Sequence, residues 1–180
     1  RWIFASYIAL LLQEGLIEDF DFVFGPAYKA INLASLTCEG LKEYYAINKR
    51  FLYDRKEVKN YGDVAMDGSI VGSEYFSPGQ KILIVDDTIT TGKTKIASLN
   101  KLSTLGNPKI VAVVVAVDRQ EVSEEGGLSA VEYLEKNLGV KIFPILPAST
   151  IYEMIKQDLS PEERTDWISY YNQYGVVKLS

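Results

Sequence analysis

Five apolar, β-rich runs recur along this chain, at residues 22–24, 46–53, 82–85, 110–117 and 140–145. Stretches with helical spacing lie between several of them, at 26–45, 93–105 and 128–138. Runs that are apolar almost throughout, rather than alternating apolar with polar, suit strands covered on both faces. Their alternation with helices predicts an α/β fold with a central, mostly parallel sheet flanked by helices. In such sheets ligands bind beyond the carboxyl ends of the strands. Three ends carry polar residues directly after an apolar run: Gly25-Pro26-Ala27-Tyr28-Lys29, Asp86-Asp87 and Asp118-Arg119. All three are expected to line one crevice. The tail, 149–174, reads as two helices, the second capped by Ser160 with Pro161 at its first position. No internal repeat or low-complexity linker interrupts the pattern, and 180 residues suit one well-cored domain over 1–180.

Residues 81–94, KILIVDDTITTGKT, concentrate the chemistry. The strand 82–85 is bounded by Pro78-Gly79 and by Asp86-Asp87, and the helix 93–105 carries Ile96, Leu99, Leu102 and Leu105 before Gly106 closes it. A strand, a tight turn and a helix N-terminus form an anion site, because unpaired N–H groups and the positive dipole end converge there. Thr88, Thr90, Thr91 and Thr94 add hydroxyl donors. The carboxylates beside that cradle need another partner, such as sugar hydroxyls or a metal-bound phosphate. Together they specify a phosphorylated sugar. The tail TTGKT invites comparison with the Walker A loop, G-x-x-x-x-G-K-[ST], but Asp87 stands where its first glycine should be. That reading fails. For the Asp-Asp pair taken alone, acidic residues capping a helix remain the plainer alternative.

Histidine is absent. This removes the usual general base, the commonest metal ligand and any Ser-His triad, and leaves carboxylates, Lys, Arg, Tyr, backbone amides or an oxygen-held metal. The single cysteine, Cys38, excludes an internal disulfide and fits a reducing compartment, so a cytoplasmic location is expected. Cys38 lies in an apolar-periodic stretch and reads as a buried structural thiol. The net charge of −5 argues against nucleic acid as the main partner. The chain opens with Arg1 and the apolar run 2–12, which is too short to span a bilayer and reads as a buried helix ending at Gly15. No membrane partner is expected, and the natural N-terminal segment is read as missing.

Residues 48–59, NKRFLYDRKEVK, carry Lys49, Arg50, Arg55, Lys56 and Lys59, partly neutralised by Asp54 and Glu57. A solvated charged face is one reading. The polar, glycine-bearing stretch 60–69 that follows suggests an exposed loop. A mobile basic flap over a phosphate crevice could close on pyrophosphate, exclude water and neutralise its charge.

The string from the apolar strand through Asp86-Asp87 to Thr94 resembles the PRPP-binding motif of type I phosphoribosyltransferases. Residues 24–31, FGPAYKAI, then 55–62, RKEVKNYG, then Ile70-Val71-Gly72, and finally Asp118-Arg119-Gln120-Glu121, sharpen the resemblance to the orotate phosphoribosyltransferase family. The likeness is close over roughly 23–121.

The resemblance implies the type I phosphoribosyltransferase fold and Mg2+-dependent transfer from PRPP to orotate, giving orotidine monophosphate and pyrophosphate. It implies that Tyr28 and Lys29 contact PRPP. Arg55, Lys56, Lys59 and Tyr61 belong to the loop that grips pyrophosphate, with Lys59 carrying most of the charge neutralisation. Asp86 and Asp87 face the ribose hydroxyls, while Thr88, Ile89, Thr90, Thr91, Gly92, Lys93 and Thr94 form the sugar-phosphate cradle. Thr90 and Arg119 hold orotate, whose carboxylate suits an arginine. Lys59, Asp86 and Asp87 are the catalytic candidates. Mg2+ is expected on PRPP oxygens, with no direct protein ligand, and a homodimer is expected to share its sites between subunits.

The chain departs from the family in three places. Tyr61 stands at the usual histidine position, the segment 63–69 is longer than usual, and the family's N-terminal lysine and paired phenylalanines fall before Arg1. Two alternatives remain at this point. A phosphoribosyltransferase for another base would share the PRPP turn but not GPAYK or RKEVK. A PRPP-binding regulator or inactive homologue would accommodate Tyr61.

Overall fold

The computed structural model describes residues 1–55, 69–89, 100–123 and 127–180. Their strands form one sheet in the order β3-β2-β1-β4-β5-β6. The strands are β1 Phe22–Gly25, β2 Arg50–Asp54, β3 Ile70–Val71, β4 Lys81–Ile89, β5 Lys109–Asp118 and β6 Ile142–Pro147. The helices are α1 Trp2–Gln13, α2 Lys29–Tyr45, α3 Ala130–Leu138, α4 Ala148–Ile155 and α5 Pro161–Tyr174. Every pairing is parallel except that of β3, which lies antiparallel on β2. The expected mostly parallel sheet is therefore present, with a short antiparallel edge that no apolar run announced.

The apolar runs divide between the two faces because successive strand residues point in opposite directions. Val23, Leu83, Val85, Ala112 and Val114 join Ala5 and Ile8 of α1 and Ala34, Cys38 and Leu41 of α2 in one cluster. Phe22, Phe24, Ile82, Ile84, Val113 and Val115 join Leu102 and Leu134 in the other. A smaller cluster of Ala148, Tyr152, Tyr171 and Leu179 holds α4 and α5 together. No helix of the described residues is long and apolar enough to cross a membrane.

Several boundaries differ from expectation for local reasons. β4 does not stop at Val85. Its ladder with β5 continues through Asp86↔Val115 and Thr88↔Val117 to Ile89↔Asp118. Both carboxylates thus sit on a strand that its neighbour holds as far as Ile89. The run 46–53 becomes strand only at Arg50, since α2 closes at Ala46 in the left-handed region (φ 57°) with its N–H returned to Leu41. Likewise Gly139 (φ 63°) ends α3, delaying β6 to Ile142. The first helix ends as expected, at Gln13, before Gly15 (φ 67°). Ser160 and Glu163 form a capping box, and Pro161 opens α5. Of the helix expected over 93–105, residues 93–99 lie outside the described residues. Its end, a 3-10 turn at Ser103–Leu105, closes at Gly106 (φ 80°).

Gly25 is required by close approach. A Cβ there would clash with the Ala30 carbonyl in the first turn of α2 and meet Ala34 Cβ at 2.8 Å. Gly25→Ala is expected to cost about 3 kcal/mol, because neither β1 nor α2 can shift without disturbing the core between them. Urea unfolding of parent and variant measures it; equal stability would show that the two elements can separate freely.

Candidate active site

The carboxyl ends of β1, β2, β4 and β5 lie side by side because β1 and β4 are central in the parallel order. After β1 the chain turns through Ala27 and Tyr28, joined by a cis peptide bond, into α2. The Ala27 N–H donates to Asp54 Oδ1 at the end of β2 (2.7 Å). Asp54 is only 5% exposed. Its Oδ2 receives Lys101 Nζ at 2.6 Å, and the same ammonium donates to the Arg55 carbonyl (3.0 Å). One buried carboxylate therefore ties the β1–α2 connection, the end of β2 and the helical turn around Lys101.

Asp86 is buried, and its Oδ1 accepts from the Asp87 N–H (2.7 Å); Asp87 Oδ1 in turn accepts from the Thr88 N–H (2.8 Å). Lys29 Nζ reaches Asp87 Oδ2 at 3.3 Å. Burial pushes the Asp87 carboxyl upward, but its hydrogen bonds with Asp86, Thr88 and Lys29 outweigh burial and hold it below its ordinary value. It is therefore ionised at neutral pH. Lys29 is largely exposed, so this bridge adds little stability and costs little to open when an anion arrives.

At the end of β5 the pattern reverses. Burial raises the pKa of Asp118, and Glu121 and Glu132 add to the rise, while Asp118 Oδ1 accepts from the Gln120 N–H (2.8 Å). Arg119 continues the ladder, its N–H donating to the Ile89 carbonyl (3.4 Å). Its guanidinium pairs with Glu121 (2.5 Å) and donates to the Tyr170 hydroxyl (2.7 Å). Beside it lies a 390 Å3 cavity lined by Val117, Ile151, Trp167 and Tyr170, among others.

Among the sequence-expected residues, Lys29 meets Asp87, Asp86 and Thr88 bracket that contact, and Ile89 is bonded to Arg119 through the backbone. Tyr28 is largely exposed beside them. Arg55 is tied to Lys101 through its carbonyl, and its N–H donates to the Ser69 carbonyl (3.0 Å). Lys56, Lys59, Tyr61, Thr90, Thr91, Gly92, Lys93 and Thr94 lie outside the described residues. Cys38 is buried, its thiol pushed up to about 12, as an inert structural cysteine requires.

Sequence reasoning missed Asp54, Lys101 and Tyr170. Asp54 carried a usable signal, since it follows an apolar run just as Asp86 and Asp118 do. Tyr170 carried none, because its helix meets Arg119 only through the tertiary fold.

Residues 5–148 match the family model of the phosphoribosyl transferase domain. The chain is 32% identical over 171 residues to the orotate phosphoribosyltransferase of Vibrio cholerae, covering 94% of this chain and 76% of that one. It is 34% identical over 170 residues to the orotate phosphoribosyltransferase of Saccharophagus degradans, covering 94% and 75%. Among solved structures, the orotate phosphoribosyltransferase of Francisella tularensis matches with a TM-score of 0.72 at 29% identity, over 96% of this chain and 78% of that chain.

Asp118 gives the site a pH signature. A carboxyl raised by folding stabilises the fold fully below its unfolded value of 3.8, and that contribution is lost as pH rises through the folded value. Asp118→Asn keeps the acceptor for Gln120 without titrating. Relative to the parent, the variant is expected to gain stability as pH rises from acid toward 7. Urea unfolding across that range checks this, and a difference that does not vary with pH would contradict it.

Proposed function

The chain belongs to the phosphoribosyl transferase domain family and, within it, to the orotate phosphoribosyltransferases, and on that premise we propose how its residues divide the reaction. It transfers the 5-phosphoribosyl group of PRPP to orotate, giving orotidine monophosphate and pyrophosphate in pyrimidine biosynthesis. The observation that best supports the division of roles is the contact of Lys29 with Asp87, which joins a cation and an ionised carboxylate from adjacent strand ends.

In this reading Lys29 releases Asp87 to bind pyrophosphate oxygens, with Tyr28 beside it. Asp87, its side chain about one-third exposed, meets the ribose hydroxyls, and the buried Asp86 steadies it. Residues 88–94, with Thr88, Ile89, Thr90, Thr91, Gly92, Lys93 and Thr94, cradle the sugar phosphate through N–H groups and hydroxyls. Thr90 and Arg119 hold orotate, the arginine by its carboxylate. Arg55, Lys56, Lys59 and Tyr61 close over the leaving pyrophosphate, and Lys59 carries most of the neutralisation.

As pyrophosphate departs, the anomeric carbon gains oxocarbenium character and the orotate ring nitrogen attacks it. The N–H proton of that nitrogen passes to the oxygens of the departing pyrophosphate, a proton acceptor in its own right, which suits a chain without histidine. Mg2+ would ride on the PRPP oxygens without a direct protein ligand, beside the oxygen-bearing side chains of Asp86, Asp87 and Thr88. When bound, Mg2+ supplies charge neutralisation on the pyrophosphate and ribose oxygens. We place the enzyme in the cytoplasm as a homodimer with shared sites, residues 1–180 acting as one domain.

The decisive measurement follows orotate absorbance with PRPP and Mg2+ on the full-length protein. Orotate loss with stoichiometric pyrophosphate release is expected; a folded protein that consumes none would overturn the assignment. Lys59→Ala should lower kcat by roughly 100-fold, the scale of one lost charge-stabilising group. Near-normal turnover would remove Lys59 from the proposed loop role.

A further inference from the structure

We propose that Tyr170 is a positioning residue for the acceptor base: together with Glu121, its hydroxyl fixes the direction in which the Arg119 guanidinium faces. The inference rests on the reading that Arg119 holds the carboxylate of orotate.

Arg119 is pinned at its backbone from two sides. Its N–H donates to the Ile89 carbonyl of β4, and its own carbonyl accepts from the Tyr171 hydroxyl (2.9 Å). The side chain is then caught in a closed triangle. Arg119 Nη2 lies 2.5 Å from Glu121 Oε1 and donates to the Tyr170 hydroxyl at 2.7 Å, and that hydroxyl donates to the same Glu121 Oε1 at 2.6 Å. The Glu121 side chain is only 13% exposed, so its carboxylate is a fixed corner. Among the described residues these bonds engage Nη2 alone, and the other N–H donors of the planar fork are left for an incoming carboxylate.

Tyr170 can hold its corner because its ring is itself fixed. It packs edge-on against Tyr171 at 5.6 Å and tilted against Tyr174 at 5.0 Å. Tyr171 is buried and stacks on Trp167. The aromatic row of α5 thus brings a neutral donor–acceptor to the end of β5. The bond to Glu121, above all, raises the Tyr170 pKa, so the hydroxyl stays protonated at neutral pH. Val117, Ile151 and Trp167 give the cavity beside the guanidinium mostly apolar walls, with Asp166 the one acidic side chain among its lining residues, and apolar surroundings strengthen a charge-assisted bond relative to water. A planar carboxylate needs the fork presented in one orientation, and a long arginine held by Glu121 alone could swivel about that single contact.

Tyr170→Phe, made in the full-length protein, removes the hydroxyl and keeps the ring. The KM for orotate should rise roughly five- to tenfold, the scale of one hydrogen bond to a charged group, with kcat and the KM for PRPP within about twofold. Arg119→Ala should raise the KM for orotate further, and adding Tyr170→Phe to it should have no additional effect. If Arg119→Ala raises the KM while Tyr170→Phe does not, the positioning role falls and the Arg119 assignment stands. If neither variant raises it, both fall. An equal rise in the two KM values, or a rise explained by a lowered unfolding midpoint, reduces Tyr170 to a packing residue and overturns the inference.

Discussion

Backbone pairing along β4 sets the level of everything at the top of this sheet. β4 is bonded on one side to β1 and on the other to β5, and the β5 ladder carries it past Val85 to Ile89. Without that continuation Asp86 and Asp87 would sit in a turn and follow its motions. As strand residues they inherit the rigidity of β5, since the pairing with β1 ends at Ile84. The buried hydrophobic faces of the same strands stabilise the arrangement, since Leu83 and Val85 are fully buried on one side and Ile82 and Ile84 essentially so on the other.

Two kinds of charge pairing follow from depth. Asp54 is buried, bonded to a backbone N–H and to a Lys101 that is about one-third exposed, so removing the lysine would leave a desolvated carboxylate short of a partner. That set is scaffold. Lys29 with Asp87 lies at the rim, where a pair is worth little, and the same charges can be exchanged for substrate at small cost. Arg119 with Glu121 stands between these extremes, the carboxylate nearly buried and the guanidinium about two-fifths exposed.

Much of the fold was legible because fully apolar runs such as 22–24 and 110–117 carry only one sensible burial, on both faces of a parallel sheet. Helix ends were legible where a cap announced them, as Ser160 with Glu163 and Gly106 did. The edge strand Ile70–Val71 was not, since two residues display no period and depend on β2 for partners. The extension of β4 was hidden by composition. Asp is a poor strand former, and only pairing with β5 overrides that preference. At the site, Lys29, Asp87 and Arg119 follow apolar runs and could be read directly. Lys101 and Tyr170 reach the crevice from elements whose approach is decided by packing alone.

The bond from the Arg55 N–H to the Ser69 carbonyl sews together the two points where the basic segment leaves and rejoins the sheet edge. That bond extends the register of β2 on β3 by one residue beyond the Asp54↔Ile70 pair. The entropy of closing such a stretch grows only logarithmically with its length, about 0.6 kcal/mol per doubling. A change in the number of residues between positions 55 and 69 would therefore cost the fold little in closure entropy. Selection on turnover or affinity can thus act on the sequence between those positions, Tyr61 included, at little penalty in loop-closure entropy.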